Sequence, residues 1–174
     1  MIDGPTPIVI DCDPGHDDAI ALLLALASSE LELLGVTTVH GNQTLDKTTD
    51  NALRVLELVG RTDIPVARGA DRPLIREPHV AAHVHGESGL DGPELPAATV
   101  EPVAQHAVEF IAERIVPGTV LVPTGPLTNI ALLLRTHPEV AEQIEGIVFM
   151  GGSASMGSAG IGPDRTVLAI FRTF

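Results

Sequence analysis

The stretch VIDCDPGHDDAIALL, residues 9–23, passes from a strand pattern into a helix pattern and places Asp11, Asp13, Asp17 and Asp18 within eight positions. PIVIDC (7–12) is a short, nearly continuous apolar run, the pattern of a strand covered on both faces. DDAIALLLALASS, which follows, consists largely of good helix formers. Outward from this unit the pattern repeats. LELLGVTTV (31–39) reads as a second strand, and LDKTTDNALRVLELVG (45–60) as a helix with Leu45, Ala52, Leu53, Leu56 and Val59 on one face and Gly60 as its stop. IPVA (64–67) is a third strand. PVAQHAVEFIAERIV (102–116) is expected as a helix opened by Pro102, TVLVPT (119–124) as a strand, PLTNIALLLRTH (126–137) as a helix opened by Pro126, and GIVFM (146–150) as the last strand. This alternation predicts an α/β protein: a Rossmann-like, open, mainly parallel sheet with helices on both faces.

The 174 residues suffice for one domain with a sizeable core, and 44% are hydrophobic, which argues for folding over disorder. Ten basic against 23 acidic side chains leave a formal charge of −13, which argues against nucleic acid and anionic membranes as partners. The opening MIDGPTP shows no basic segment followed by an apolar core, so no secretion signal is expected. The longest apolar run, AIALLLALA (19–27), falls short of the roughly 20 residues that span a bilayer. A cytoplasmic location is the resulting expectation. The single cysteine, Cys12, excludes an internal disulfide and a cysteine-rich zinc site, and its apolar surroundings suggest simple burial.

One interval breaks the rhythm. Residues 68–101 carry Arg68, Arg72, Arg76, His79, His83 and His85 without clear periodicity. A loop of that length in a compact domain is usually functional or disordered. The string HVHGESGLDG (83–92) favours an active-site loop over a surface excursion.

Ligands of open parallel sheets sit outside the carboxyl ends of the strands. Those ends carry Asp13, Asp17 and Asp18 after the first strand, and His40 and Asn42 after the second. His83 and His85 follow the third, Thr124 and Asn129 the fourth, and Gly151 and Gly152 the fifth. The acids are the sharpest signal. Two unit charges about 4 Å apart interact by roughly 4 kcal/mol at an effective dielectric near 20, whereas a helix N-terminus favours an acid by only about 0.3–1 kcal/mol. Clustered aspartates must therefore spread out, take up protons or share a cation, and a hard dication such as Ca²⁺ or Mg²⁺ suits them better than Zn²⁺. The alternative is that Asp13 or Asp17 caps the helix and the others are solvated. Neither a phosphate-binding G-x-x-x-x-G-K-[ST] loop nor a G-x-G-x-x-G after a strand is present, and no G-x-S-x-G elbow occurs. A D-x-D at the end of a first strand also begins the haloacid-dehalogenase-type phosphatases, but Pro14 and Gly15 stand where those carry Thr or Val.

DCDPGHDDAIAL resembles the N-terminal fingerprint of the calcium-dependent nucleoside hydrolases. GNQT (41–44), RTDIPVARGA (61–70), HVHGESGLDG (83–92), VPTGPLTN (122–129) and VFMGG (148–152) follow in that family's order. The wording is most similar to the pyrimidine-preferring ribonucleoside hydrolases. The resemblance spans residues 7–152, roughly the N-terminal half of a family member. It implies hydrolysis of the N-glycosidic bond of a nucleoside to ribose and free base. Carried over by motif, Asp13 would ligate Ca²⁺ and take the proton from the attacking water, while Asp18 and the Thr124 carbonyl would be further ligands. Asp17 and Asn42 would grip the ribose hydroxyls, and His85 would lie near sugar and base. Asn42 could instead form only a turn before the helix. Asp11 is divided between strand packing and hydrogen bonds that support the site; His83 is expected to touch substrate less than His85. His16, His106 and His137 read as structural or surface residues, and His40 stays undecided.

The resemblance ends after MGGS. Residues 153–174 form a divergent tail: laid over the family's A-E-F-N stretch, LAIFRTF puts Ile170 and Arg172 in the places of its Glu and Asn, two ribose ligands, and the alternative is that the tail is unrelated sequence. The family's later half would add another calcium-binding aspartate and a histidine sometimes credited with protonating the leaving base. Family members are commonly homo-oligomers. Beside an active hydrolase stand a binding-only or inactive remnant of the family, and a Mg²⁺-dependent phosphatase with Asp11 or Asp13 as nucleophile.

Overall fold

A computed structural model describes residues 4–92, 94–150 and 168–171, the last four as backbone only. Seven strands form one sheet: β1 (Thr6–Cys12), β2 (Leu31–Thr38), β3 (Val66–Arg68), β4 (Val103–His106), β5 (Thr119–Pro123), β6 (Ile144–Met150) and β7 (Leu168–Phe171). Their order is β4-β3-β2-β1-β5-β6-β7, parallel throughout except for the antiparallel β6/β7 pair. Helices α1 (His16–Ala27), α2 (Leu45–Leu58), α3 (Ala82–His85), α4 (Ala107–Arg114) and α5 (Thr128–Thr136) link them, with a 3-10 turn at Pro138–Glu142.

Alternation along β1 divides the core. Ile8, Ile10 and Cys12 pack with Leu22 of α1 and Ala52, Leu53, Val55 and Leu56 of α2. Val9 packs with Phe110 and Ile111 of α4 and with Ile130 and Leu133 of α5. Helices therefore cover both faces, as the alternation of patterns predicts. Cys12 is fully buried, its thiol directed at the Thr37 carbonyl. No helix among the described residues is long and apolar enough to cross a membrane.

Three boundaries differ from expectation. Residues 103–106, read as the start of a helix, instead pair with β3 as an edge strand, Ala67 opposite Val103 and Arg68 opposite His106. Pro102 disfavours helical backbone at the residue before it, and the His106 ring accepts from Val108 N at 3.3 Å, so the helix is capped there and begins at Ala107. Strand β3 starts only after Pro65. Finally β7 adds a strand in the tail, Ile170 opposite Val148, while Gly151, Gly152 and Arg172 lie outside the described residues.

The chain leaves β1 toward β2 on one side, and β5 lies on the other. The crevice at this switch in direction is where open sheets of this kind hold ligands. A cavity of about 570 Å³ lined by Pro5, Leu26, Leu31, Arg61, Ile64 and Arg114 opens at the opposite end of the strands and includes none of Asp11, Asp13, Asp17 and Asp18.

Candidate active site

The loop after β1 carries Asp13 into the crevice, and two other strand-end loops close on it. Asn42 N donates to Asp13 Oδ2 at 2.6 Å, and Asn42 Nδ2 donates to the Asp13 carbonyl at 3.0 Å. Asp13 N donates to Asp18 Oδ2 at 3.0 Å, tying the first turn of α1 back onto the loop. Room for the carboxyl comes from two glycines. A Cβ at Gly41 would overlap Asp13 Oδ2, and one at Gly125 would stand 2.7 Å from Oδ1. These glycines were missed in the sequence; the available signal was Gly directly beyond a strand end, where another group must approach the backbone closely.

The four carboxylates separate into different environments. Asp13 and Asp18 are buried side by side, and among the described residues no basic side chain pairs with either. Burial, then the charge of Asp18, pushes Asp13 up to about 9; burial also lifts Asp18 to about 6. Thr124 lies near enough to Asp18 to oppose that rise, although its buried hydroxyl forms no well-directed hydrogen bond. Asp17 is exposed at the mouth. Asp11 points to the other face of β1, where Oδ1 accepts from Thr37 Oγ1 at 2.6 Å and from Asn129 Nδ2 at 2.8 Å. Burial raises it to about 7, and its Oδ2 has no hydrogen-bond partner among the described residues. Thus Asp11 resolves as a hydrogen-bonding residue, and the capping alternative fails: Gly15 stands at the α1 N-cap with no side-chain cap.

Thr124 N and Gly125 N both donate to the Asp11 carbonyl, at 2.8 and 3.3 Å. Because a trans peptide sets N–H and C=O in opposite directions, the Thr124 carbonyl faces away from Asp11. Among the described residues no three His, Cys, Asp or Glu side chains group as a metal cage. Two buried carboxylates with Thr124 make an oxygen-only donor set suited to a hard dication that draws further ligands from water or substrate.

The long loop is moored around this centre. Ala81 N donates to the Asn42 carbonyl, Gln43 Nε2 to that of Gly86, Lys47 Nζ to that of Glu87, and Asn51 Nδ2 to those of Pro14 and Ser88. It thereby seats His85 beside Gly15 and Asn42. His16, read from the sequence as structural or surface, stacks on His85 with ring centroids 5.5 Å apart. His83 is exposed on α3, and His40 is buried with Nε2 unpartnered among the described residues. His106 and His137 stand away from the crevice, beside Glu109 and Glu139.

The family model described as inosine-uridine preferring nucleoside hydrolase matches residues 8–163. The chain belongs to that nucleoside hydrolase family. Among curated relatives it is 63% identical over 155 residues to the pyrimidine-specific ribonucleoside hydrolase RihA of Photobacterium profundum, covering 87% of this chain and 50% of that protein. It is 61% identical to the protein of that name from Shewanella sp. strain ANA-3, covering 87% and 49%. Solved nucleoside hydrolases share the fold. A plant enzyme superposes with TM-score 0.81 at 36% identity, covering 86% of this chain and 48% of that one. A purine-preferring ribonucleoside hydrolase from Gardnerella vaginalis gives 0.80 at 34%, covering 84% and 49%. The chain spans about half the length of the curated relatives it matches.

The raised carboxyl pKa values have a consequence for stability. An unfolded aspartate releases its proton near pH 4, while the folded chain holds those of Asp18, Asp11 and Asp13 to about 6, 7 and 9. Between these limits the folded state binds more protons, so its stability falls as pH rises. The metal-free chain is expected to lose thermal midpoint steadily from pH 5 to 9. A hard dication, if taken up by the ionised pair, should restore the upper part of that loss. Scanning calorimetry across this range with and without chelator checks it; profiles flat in both series would contradict the burial argument.

Proposed function

We propose that this nucleoside hydrolase fold, carried by residues 1–152 with 153–174 as a divergent tail, cleaves the N-glycosidic bond of ribonucleosides with Ca²⁺ as cofactor. Pyrimidine nucleosides such as uridine are the favoured substrates and inosine a secondary one. The observation that carries the reading is the buried Asp13–Asp18 couple at the switch point, without a basic partner among the described residues and braced by Asn42. The names of the relatives support the pyrimidine preference.

Asp13, Asp18 and the Thr124 carbonyl would hold the cation, which when bound makes water more acidic. Asp13 is the base: its Oδ2 is fixed by Asn42 N, and a carboxyl with a raised pKa is the better proton acceptor. Asp17 at the mouth and Asn42 orient the ribose hydroxyls, and His85 borders the sugar and base. The surrounding negative charge favours a ribosyl group as it becomes positive. A binding-only reading draws on one observation, that the described residues supply two carboxylates rather than a cage.

The test is base release by the purified chain from uridine and inosine, in calcium and after chelation. Faster release of uracil than hypoxanthine, lost on chelation, is the expected outcome. Release that survives chelation overturns the cation's role. No release, with calcium still raising the thermal midpoint, decides for binding alone.

A further inference from the structure

Beyond the aspartates, the crevice holds a pair of histidines whose contacts determine where their protons lie. His16 is the first residue of α1 and His85 the last of α3, 69 positions apart. His16 Nε2 lies 2.9 Å from the Asp91 carbonyl oxygen, and its Nδ1 lies 3.4 Å from His85 Nδ1. The rings are stacked with 23° between their planes.

A carbonyl oxygen can only accept, so the proton of a neutral His16 belongs on Nε2. A neutral imidazole has one N–H and one bare nitrogen, which leaves His16 Nδ1 as an acceptor. Its neighbour, His85 Nδ1, must then be the donor. We propose that His16 is a positioning residue: it fixes His85 with hydrogen on Nδ1, so that His85 Nε2 is bare and accepts a hydrogen bond from a ligand hydroxyl. This rests on the functional reading above for the ligand, a ribose-bearing molecule, but the proton placement follows from the two contacts alone.

The elements around the pair hold both ends. Asp91 N donates to the His85 carbonyl at 3.2 Å, and the Asp91 carboxylate accepts from Glu87 N, Ser88 N and Ser88 Oγ, so its carbonyl is presented to His16 from a closed turn. His85 N donates to the Ala81 carbonyl, and Ala81 N to that of Asn42. Gly15 lets the ring approach. A Cβ there would stand 2.5 Å from His85 Nδ1 and 2.9 Å from Asn42 Nδ2. The ring thus packs against the aspartate loop itself, next to a residue proposed to hold ribose. The alternative tautomer of His85 would present an N–H, which suits a carbonyl of a base rather than a sugar hydroxyl.

The deciding measurement is long-range proton–nitrogen correlation of the imidazoles in the full chain labelled on histidine, at pH 8.5, above the ordinary range of imidazole titration. His85 protonated on Nδ1 and His16 on Nε2 are expected. His16→Ala should return His85 to hydrogen on Nε2. His16→Gln should preserve the original pattern, because the amide can donate to Asp91 and accept from His85. His16 is exposed, so both variants are expected to keep the parent's backbone spectrum. Hydrogen on His85 Nε2 in the unmodified chain, or no change in His16→Ala, overturns the proposal. Uridine, whether turned over or only bound, should need about tenfold more for half-saturation in His16→Ala, the equivalent of about 1.4 kcal/mol, with kcat changed less than KM and His16→Gln near the parent. Equal half-saturation in all three chains overturns the positioning role. If the unmodified chain shows the expected tautomers but no response to uridine, the functional reading fails together with the ligand assigned to Nε2.

Discussion

Asp13→Asn is expected to make the metal-free chain more stable while removing the proposed activity. At pH 8 an unfolded aspartate is ionised, and the fold must return a proton to Asp13, whose pKa burial lifts to about 9. Each unit of such a shift corresponds to about 1.4 kcal/mol. Asparagine has nearly the same shape and no charge to neutralise, and its amide oxygen can still accept from Asn42 N. Even a gain of about 2 kcal/mol, well below the full shift, would raise the thermal midpoint of a chain of this size by roughly 5 °C in chelator. On the proposed cation assignment, calcium should then add little, since one of the two carboxylates is gone. Base release should fall by about 100-fold or more, the usual scale for loss of a general base. Melting curves with and without calcium, beside the base-release assay, test both halves. A variant that melts below the parent in chelator would show that Asp13 is not held against a burial cost.

This opposition between stability and chemistry explains which parts of the site were legible in the sequence. A carboxyl cluster at a strand end is visible because its residue types are wrong for a buried position unless something requires them. The strand and helix units were legible for the complementary reason: periodicity and helix-opening prolines report local physics. Where tertiary pairing overrides local preference, reading failed. Residues 103–106 carry a helix-compatible pattern, yet β3 offers an unpaired edge, and capping by His106 makes extended backbone the better use of them. The division of labour among the aspartates was hidden for a similar reason. Asp11 and Asp13 are two positions apart and so share a side only while the chain remains a strand, and the strand ends at Cys12. Gly41, Gly125 and His16 act through neighbours far away in sequence, and nothing local distinguishes them from turn or surface residues.

Asn129→Ala should be among the most damaging single changes in the chain. Asn129 is completely buried in α5 and joins segments that meet at the switch point. Its Nδ2 donates to Asp11 Oδ1 at 2.8 Å and to the Thr38 carbonyl at 3.1 Å, and its Oδ1 accepts from Ala70 N at 2.9 Å. Gly69 makes room, since a Cβ there would stand 2.5 Å from Asn129 Cγ. Truncation leaves Ala70 N without its acceptor, at about 1–3 kcal/mol for a buried polar group left unpaired, removes one of two donors from the Thr38 carbonyl, which keeps Gly69 N, and opens a cavity. A total near 4 kcal/mol lowers the midpoint by roughly 10 °C. Asn129→Asp separates the causes, because it fills the same volume but sets an oxygen where the donor to Asp11 and Thr38 stood. At pH 8 it should be at least as destabilising as alanine, since a second carboxylate then faces Asp11. If Asn129→Asp instead matches the parent, the network contributes only volume. The expected result also bears on function: Asp11 offers its carbonyl to Thr124 N and Gly125 N. Loosening Asn129 therefore loosens the peptide that carries the Thr124 carbonyl, and any rise in midpoint that calcium gives the parent should shrink in both variants although no proposed cation ligand has been replaced.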